Sequence, residues 1–205
     1  MNALSIITTL QKKAWMLYST ALLAAALILG AQQYQSHSHS RTTRTADAYF
    51  ELISRDEPTL EQLKNFMDEH PHGIYKDLAT LEVAAIHAEL GDDKSCVEAL
   101  KSVVDNSKIE NIRSLAAYRI ANLTKRTDTE IALNYINKVT IKSMKHTRSL
   151  LATEIYRIRG EYEKALLEVN SLLSDINQEM PDSKILIELA TQEKRQLENG
   201  NSGKT

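Results

Sequence analysis

The sequence is poor in the residues that break helices or cross-link a chain. Its 205 residues include three prolines, six glycines, one cysteine and one tryptophan. Because Cys96 has no second cysteine to pair with, an intramolecular disulfide is impossible and a disulfide-rich scaffold is excluded. The glycines, at positions 30, 73, 91, 160, 200 and 203, do not have the spacing of a phosphate-binding loop, a dinucleotide-binding fingerprint or a nucleophile elbow. The common catalytic motifs built on glycine are therefore missing.

A strong excess of charge of either sign is also missing. The 25 lysines and arginines include Lys12 and Lys13, and all 27 aspartates and glutamates follow residue 40. The part of the chain after residue 40 therefore has 23 basic and 27 acidic residues, which is a formal net charge of −4. This near balance argues against a nucleic-acid-binding surface, which needs a concentrated basic patch.

One long apolar run is present, from Ala14 to Ala31 (AWMLYSTALLAAALILGA), and it contains no charged residue. A helix rising about 1.5 Å per residue would make this run roughly 27 Å long, close to the roughly 30 Å hydrocarbon core of a bilayer. The run therefore predicts a transmembrane anchor over residues 14–34. A cleavable signal peptide is the alternative, although the end of the run has poor cleavage-site chemistry.

The charges on either side of the run predict its orientation. Lys12 and Lys13 precede it, whereas the other side continues with uncharged residues and reaches Arg41 only later. Positive charge favours the cytoplasmic side of a membrane, so residues 1–13 are predicted to form a short cytoplasmic tail. In a bacterium the chain would then be a single-pass inner-membrane protein with a periplasmic carboxy-terminal domain.

From residue 41 onward, apolar residues recur at intervals of three and four, which is the period of an amphipathic helix. The pattern predicts helices over residues 41–54, 58 or 59 to 69, about 74–90, 112–123, 129–139, 146–159, 162–174 and 183 to about 197, with another holding Val97 and Val104. Residues 199–205 are predicted to be a disordered tail.

A repeat of about 34 residues is visible in this pattern. Gly91 and Gly160 each end a predicted helix and are 69 residues apart, about twice that period. The second turn, YRIRGEYEKAL (residues 156–166), resembles the tetratricopeptide repeat. In that repeat a glycine closes the first helix, an aromatic residue follows two places later, and a small residue five places later lets two helices pack tightly. The small position falls on Cys96, Ala132 and Ala165 in three successive units, the middle of which has Thr127 in place of glycine.

The predicted fold is all-α, with a single amino-terminal transmembrane helix followed by a tetratricopeptide-like α-solenoid of helical hairpins over residues 35–198. Each hairpin in such a stack buries its apolar stripe against the next one, so three or four hairpins share a continuous core. An irregular helical bundle with accidental spacing is the alternative.

The order of these features is similar to that of the YfgM family, which are ancillary subunits of the bacterial Sec translocon. The similarity rests on the short tail, the single span and the blocks HGIYKDLATLEVA (residues 72–84), NIRSLAAYRIA (residues 111–121) and RGEYEKA (residues 159–165). The resemblance implies a non-enzymatic, membrane-tethered interaction protein beside the SecYEG channel. It would assist a periplasmic chaperone of the PpiD type that acts on newly translocated polypeptides. Two alternatives are a secreted soluble repeat scaffold, if the leader is cut, and a cytosol-facing anchored receptor in a eukaryotic organelle.

The first helix of each hairpin would line the inner face of the stack, which makes its residues candidate contacts for a polypeptide partner. Alignment of the repeats on Gly91, Thr127 and Gly160 selects positions where small and apolar residues stand beside opposite charges. The selected residues are Leu81, Ala85, Glu89, Ala117, Ala121, Lys125, Leu150, Glu154 and Arg157. In the alternative interpretation, Leu81, Ala85 and Leu150 face the core and the charged residues form a solvated rim.

Residues with chemical reactivity are few in this sequence. Cys96 stands where a repeat needs a small packed side chain, so a buried, unreactive thiol is expected. His70 and His72 lie beside two carboxylates at a helix end, but a metal site needs three or four ligands held in one geometry. We therefore predict no catalytic residue, no metal site and no cofactor, and a hydrolase or metal enzyme is the most distant alternative.

Overall fold

The computed structural model describes residues 43–54, 57–176 and 183–202, and all regular secondary structure within these ranges is helical. The predicted all-α class is confirmed for this part of the chain. The anchor predicted over residues 14–34 lies outside the described residues. Among the helices that are described, none is both long and apolar enough to cross a membrane.

The chain divides into two compact units, Met1–Asp56 and Glu57–Thr205. In the first, helix α1 covers residues 43–54. In the second, the helices are α2 (Leu60–Glu69), α3 (Ile74–Glu89), α4 (Asp93–Asn106), α5 (Glu110–Thr124), α6 (Thr129–Ile136), α7 (Lys145–Ile158), α8 (Tyr162–Asp175) and α9 (Ser183–Ser202), with a 3₁₀ turn at Lys142–Met144.

Polar side chains cap the amino-terminal ends of several of these helices. At α2, the Gln62 N–H donates to Thr59 Oγ1 at 3.3 Å and the Thr59 N–H donates to Gln62 Oε1 at 2.9 Å, which is a capping box. Asp92 accepts from the Ser95 N–H before α4, and Asp128 accepts from two backbone N–H groups before α6. These caps fix where the second helix of two hairpins begins.

Gly91 and Gly160 end α3 and α7 in the same way. Both adopt a positive φ, 71° and 75°, which costs a residue with a Cβ atom about 1–2 kcal/mol. The N–H of the residue after each glycine reaches back to a carbonyl five positions earlier, Asp92 to His87 at 2.8 Å and Glu161 to Tyr156 at 2.9 Å. Both turns are therefore Schellman motifs that satisfy the last carbonyls of a helix.

The turn at Thr127 closes differently. Four residues, 125–128, separate α5 from α6, whereas three separate α3 from α4 and α7 from α8. The Asp128 N–H donates to Thr124 O at 2.8 Å, and no residue other than glycine has a positive φ among the described residues. The middle hairpin thus replaces the glycine turn with a longer connection that needs no left-handed residue.

Three antiparallel hairpins, α3–α4, α5–α6 and α7–α8, follow one another, with α2 packed before them and α9 after them. The small position of each hairpin is buried as predicted, with exposures of 4% for Cys96 and 0% for both Ala132 and Ala165. Because these side chains are short, the paired helices can approach closely.

The buried side chains form two clusters that meet at α7. The larger cluster joins α3 to α7 and includes Leu100, Ile120 and Ile136, while the smaller one joins α8 to α9 and includes Val169 and Leu197. Helix α7 buries Leu151, Ala152 and Ile155 in the first cluster and packs Leu150 and Tyr156 against the second. Each hairpin therefore depends on its neighbour for its core, as in a repeat stack.

Two helices end three or more residues away from the position that the apolar pattern predicts. Helix α6 ends at Ile136 rather than at residue 139, because the Lys138 and Val139 N–H groups bond three residues back and tighten the chain into a turn that still buries Val139. Helix α9 continues past the buried Leu197 to Ser202. Residues 203–205 of the predicted tail lie outside the described part.

Candidate functional site

The first helices of the three hairpins, α3, α5 and α7, carry the predicted contact residues, and we call the side they form the first-helix face. Leu81, Ala117 and Ala121 are buried in the larger cluster, with exposures of 5%, 0% and 0%. Ala85 and Leu150 are partly exposed and Glu89 is exposed. The three buried residues therefore belong to the core beneath the first-helix face and are not contacts on it. For Leu81, this is the core position that the alternative interpretation predicted.

The charged candidates of α5 and α7 are engaged in ion pairs within the fold. Lys125, which follows the last residue of α5, donates from Nζ to Glu154 Oε2 of α7 at 2.7 Å. Arg157 of α7 donates from Nε to Glu193 Oε2 of α9 at 3.2 Å. The side chains of the first pair are only 19% and 22% exposed. Sequence alignment placed Lys125 and Glu154 on one face, but it missed Glu193 because α9 has no turn that aligns with the repeats.

A groove opens between α3 and α5 above α4, and two candidates, Ala85 and Glu89, line it. Its volume is about 370 Å³, near the lower end of the roughly 300–1,000 Å³ range of ligand-binding pockets. The α3 wall is formed mostly by alanines, the floor by two α4 residues, and the α5 wall by larger and more polar side chains. The lining residues are Ala84, Ala85, Ala88, Glu89, Cys96, Leu100, Tyr118, Arg119, Asn122 and Leu123.

The α5 wall of this groove was not predicted from the sequence. The repeat alignment selected Ala117 and Ala121, whereas the groove is lined by the residues one place further along, Tyr118 and Asn122, together with Arg119. Successive helix positions differ by about 100° in direction, so an alignment that slips by one residue exchanges a core position for a surface position. The block NIRSLAAYRIA could have indicated this wall, because a tyrosine and an arginine follow two alanines there.

Burial sets the acid–base state of two groups in the groove. Burial raises the pKa of the Cys96 thiol above its usual value, and the nearby Asp93 carboxylate raises it further. Burial also raises the pKa of the Tyr118 hydroxyl, and the charge of Glu154 on α7 adds to this effect. Both groups therefore remain protonated near neutral pH, so the groove floor contributes no thiolate nucleophile.

The remaining candidates for chemistry are structural where the structure describes them. His70 is the carboxy-terminal cap of α2, and its ring centroid lies 4.8 Å from that of Phe66. Within the described residues, no group of three His, Cys, Asp or Glu side chains is arranged to hold a metal ion.

The family model of the tetratricopeptide repeat-like domain matches residues 11–189. The match covers most of the sequence, and the chain belongs to the tetratricopeptide repeat-like domain family. It is similar to the protein named ancillary SecYEG translocon subunit of Aggregatibacter actinomycetemcomitans, with 25% identity over 143 residues, which is 67% of this chain and 70% of that relative. No solved structure matches the chain. These findings confirm the resemblance to the YfgM family that the sequence predicted.

Proposed function

We propose that this chain is a non-enzymatic, membrane-tethered interaction protein that works as an ancillary subunit of the Sec translocon. In this role residues 14–34 anchor it in the bacterial inner membrane, residues 1–13 lie in the cytoplasm, and the helical repeats of residues 35–198 lie in the periplasm. Its partners are the SecYEG channel, a PpiD-type chaperone and the polypeptides that emerge from the channel.

The observation that carries the proposal is the match to the tetratricopeptide repeat-like domain together with the relative named ancillary SecYEG translocon subunit. The matched range begins at residue 11, so it includes the apolar run of residues 14–31. A run that belongs to the family pattern favours a retained anchor over a leader that is removed. In this proposal, residues 14–34 are the tether and the helical repeats are the interaction domain that such a subunit requires.

Tethering explains how weak contacts can suffice in this role. A domain anchored beside the channel has a high effective concentration for any segment that emerges there, of the order of mM for a short linker. Individual contacts can then be weak, which permits rapid release of a segment that must move on and fold. The first-helix face, including the partly exposed Ala85 and Leu150 and the exposed Glu89, is the surface we assign to these contacts.

Photo-crosslinking in a bacterium tests this assignment. A photoreactive amino acid placed at Leu150 of the full-length chain should give a crosslink to a SecYEG subunit, to the PpiD-type chaperone or to a secreted polypeptide arrested in the channel. The control carries the same group at Glu98, an exposed residue of α4 outside the groove. Crosslinks to lipid alone from Leu150, or an intact mass that lacks the first thirty or so residues, would contradict the proposal.

A further inference from the structure

The two connections that lead from one hairpin to the next meet at the start of α5. They are residues 107–109, between α4 and α5, and residues 137–144, between α6 and α7. From the second connection, Thr140 Oγ1 donates to Glu110 Oε1 at 2.7 Å and the Thr140 N–H donates to Ser114 Oγ at 3.4 Å. We call this side of the stack the connection edge. The three hairpin turns, residues 90–92, 125–128 and 159–161, lie at the opposite ends of the same helices.

The connection edge is basic, whereas the turns are balanced in charge. The two connections contain Lys108, Lys138 and Lys142, all exposed, and no acidic residue. The turns contain three basic and three acidic residues, namely Lys125, Arg126, Arg159, Asp92, Asp128 and Glu161. Because the chain after residue 40 has a formal charge of −4, its positive charge is unevenly distributed.

The acidic residue at the α8 end of this edge is engaged within the fold. Asp175 Oδ1 lies 2.8 Å from Lys145 Nζ, and Asp175 Oδ2 lies 2.9 Å from His146 Nε2. Hydrogen bonds from Lys145 and from His146 hold the pKa of the Asp175 carboxyl below its usual value. This carboxylate is therefore matched by two donors of its own neighbourhood and does not cancel the lysines of the connections.

One of the three lysines has an acidic neighbour. Lys138 Nζ lies 4.5 Å from the centroid of the Tyr135 ring. Burial raises the pKa of the Tyr135 hydroxyl and the charge of Asp105 adds to this effect, which places Asp105 near the same ring. Asp105 therefore offsets Lys138 most directly. Lys108 and Lys142 are the exposed cations best placed to meet an anionic partner.

We propose that the connection edge docks on the anionic phospholipid headgroups of the membrane that anchors the chain, with Lys108 and Lys142 in contact with lipid phosphates. The proposal rests on the membrane tether of the proposed function. Lysine suits this partner, because its ammonium group is a compact point charge that binds phosphate without a fixed geometry. Docking would point the hairpin turns, at the other ends of the helices, away from the bilayer.

The length of the tether favours lipid over an acidic protein as the partner. Eight residues, 35–42, separate the predicted anchor from α1, so even a fully extended connection is at most about 28 Å long. The lipid surface is therefore always within reach, whereas a soluble partner must first diffuse to the domain. The attraction acts within about a Debye length of the headgroups, so docking should weaken as salt is added.

Lipid quenching in nanodiscs tests this inference on the full-length chain. A fluorophore is attached at Ser143→Cys, in the 3₁₀ turn beside Lys142, after Cys96→Ala removes the native thiol, and the lipids carry a quencher on their headgroups. Quenching should be strong in discs of phosphatidylglycerol and phosphatidylethanolamine and weak in discs of phosphatidylcholine. The same fluorophore at Thr127→Cys, in a hairpin turn, should be quenched weakly in both.

Charge variants separate the connection edge from general electrostatic attraction. Lys108→Gln with Lys142→Gln should lower the ratio of docked to undocked protein by about tenfold or more. The matched control, Lys94→Gln with Arg126→Gln, removes the same charge from exposed residues at the turn side and should change the ratio by less than about twofold. Circular dichroism of each variant checks that its helices are intact.

Three outcomes would overturn the inference. They are equal quenching at Ser143→Cys and Thr127→Cys, quenching that is the same with and without anionic lipid, and a lysine-dependent crosslink from position 143 to an acidic protein in place of lipid quenching. If quenching is absent but Leu150 still crosslinks to a SecYEG subunit, the edge assignment fails and the proposed function stands. If that crosslink is absent but quenching depends on anionic lipid and on the two lysines, the reverse holds.

Discussion

At the scale of single residues, the turns between helices were predictable wherever the chain uses glycine. Gly91 and Gly160 were predicted to end helices, and each adopts the left-handed conformation that favours glycine. Thr127 aligned with them in sequence, but the structure closes that turn with one more residue and no positive φ. A glycine at a helix end directly indicates that the backbone adopts a left-handed conformation there. When the glycine is missing, the sequence does not show which other kind of turn replaces it.

Gly160→Ala should destabilise the protein by about 1–2 kcal/mol. A Cβ atom built at this position meets nothing within 4 Å, so the cost arises from the φ of 75° alone and not from a clash. Gly160→Asn should cost less, because asparagine tolerates this conformation better than alanine. Urea unfolding of the three proteins measures the differences, and a loss in Gly160→Asn as large as in Gly160→Ala would contradict the backbone explanation.

Cys96 should react slowly with iodoacetamide in the folded protein and rapidly in urea. Its side chain is 4% exposed, and burial raises the pKa of its thiol above the usual 9.0. The labelling rate of the native protein should therefore keep rising when the pH passes 9, because the thiol is still being converted to the reactive thiolate above that pH. Mass spectrometry gives an unambiguous readout, since the chain has no other cysteine. Equal labelling rates in buffer and in urea would show that the thiol is accessible.

At the scale of helices and hairpins, the periodic pattern predicted the elements well, but it did not predict which residues meet. Cys96 and Ala165 were predicted at close helix contacts because the repeat fixes local packing, and both are buried. Lys125 and Glu154 are 29 residues apart, and their pairing depends on how neighbouring hairpins stack. Arg119 was missed for the same reason, because spacing along one helix does not determine which positions border a groove between two helices.

The Lys125–Glu154 pair should contribute a measurable coupling between hairpins. A double-mutant cycle with Lys125→Met and Glu154→Gln is expected to give about 0.5–1 kcal/mol, since both side chains are largely shielded from water. The comparison pair is Lys194–Glu198, which lies within α9 at 4.0 Å with side chains 36% and 54% exposed. That pair should give at most about 0.5 kcal/mol. A coupling no larger for the first pair than for the second would argue that the Lys125–Glu154 pair does not help to join α5 to α7.

At the scale of the whole molecule, stability should vary along the chain. The two buried clusters share α7, but α8 and α9 contribute only to the smaller one. In a repeat stack each unit is held mainly by its neighbours, so damage at one end need not unfold the other. The dependence of each hairpin on its neighbours was predictable from the repeat. The division of the core into two clusters was not predictable, because it depends on which side chains of α7 face each cluster.

Leu197→Asp should unfold α8 and α9 while α3 to α5 remain protected. Leu197 is fully buried, so a carboxylate there costs about 3 kcal/mol or more. The matched variant Ile185→Asp changes a residue of the same helix that is 63% exposed, and it should have little effect. Hydrogen exchange resolved by segment measures both. Uniform loss of protection along the chain in Leu197→Asp would mean that the stack unfolds as a single cooperative unit.

The longer connection between α5 and α6 makes this chain open to manipulation at its midpoint. Arg126 and Thr127 are exposed. The turn they occupy is one residue longer than the turns of the other two hairpins, and it contains no glycine. A protease recognition sequence or an epitope grafted between them would extend outward from the surface and leave both flanking helices intact. Cleavage there would give two fragments, one with the groove and one with α9, that stay associated through the buried cluster shared by α5 and α6.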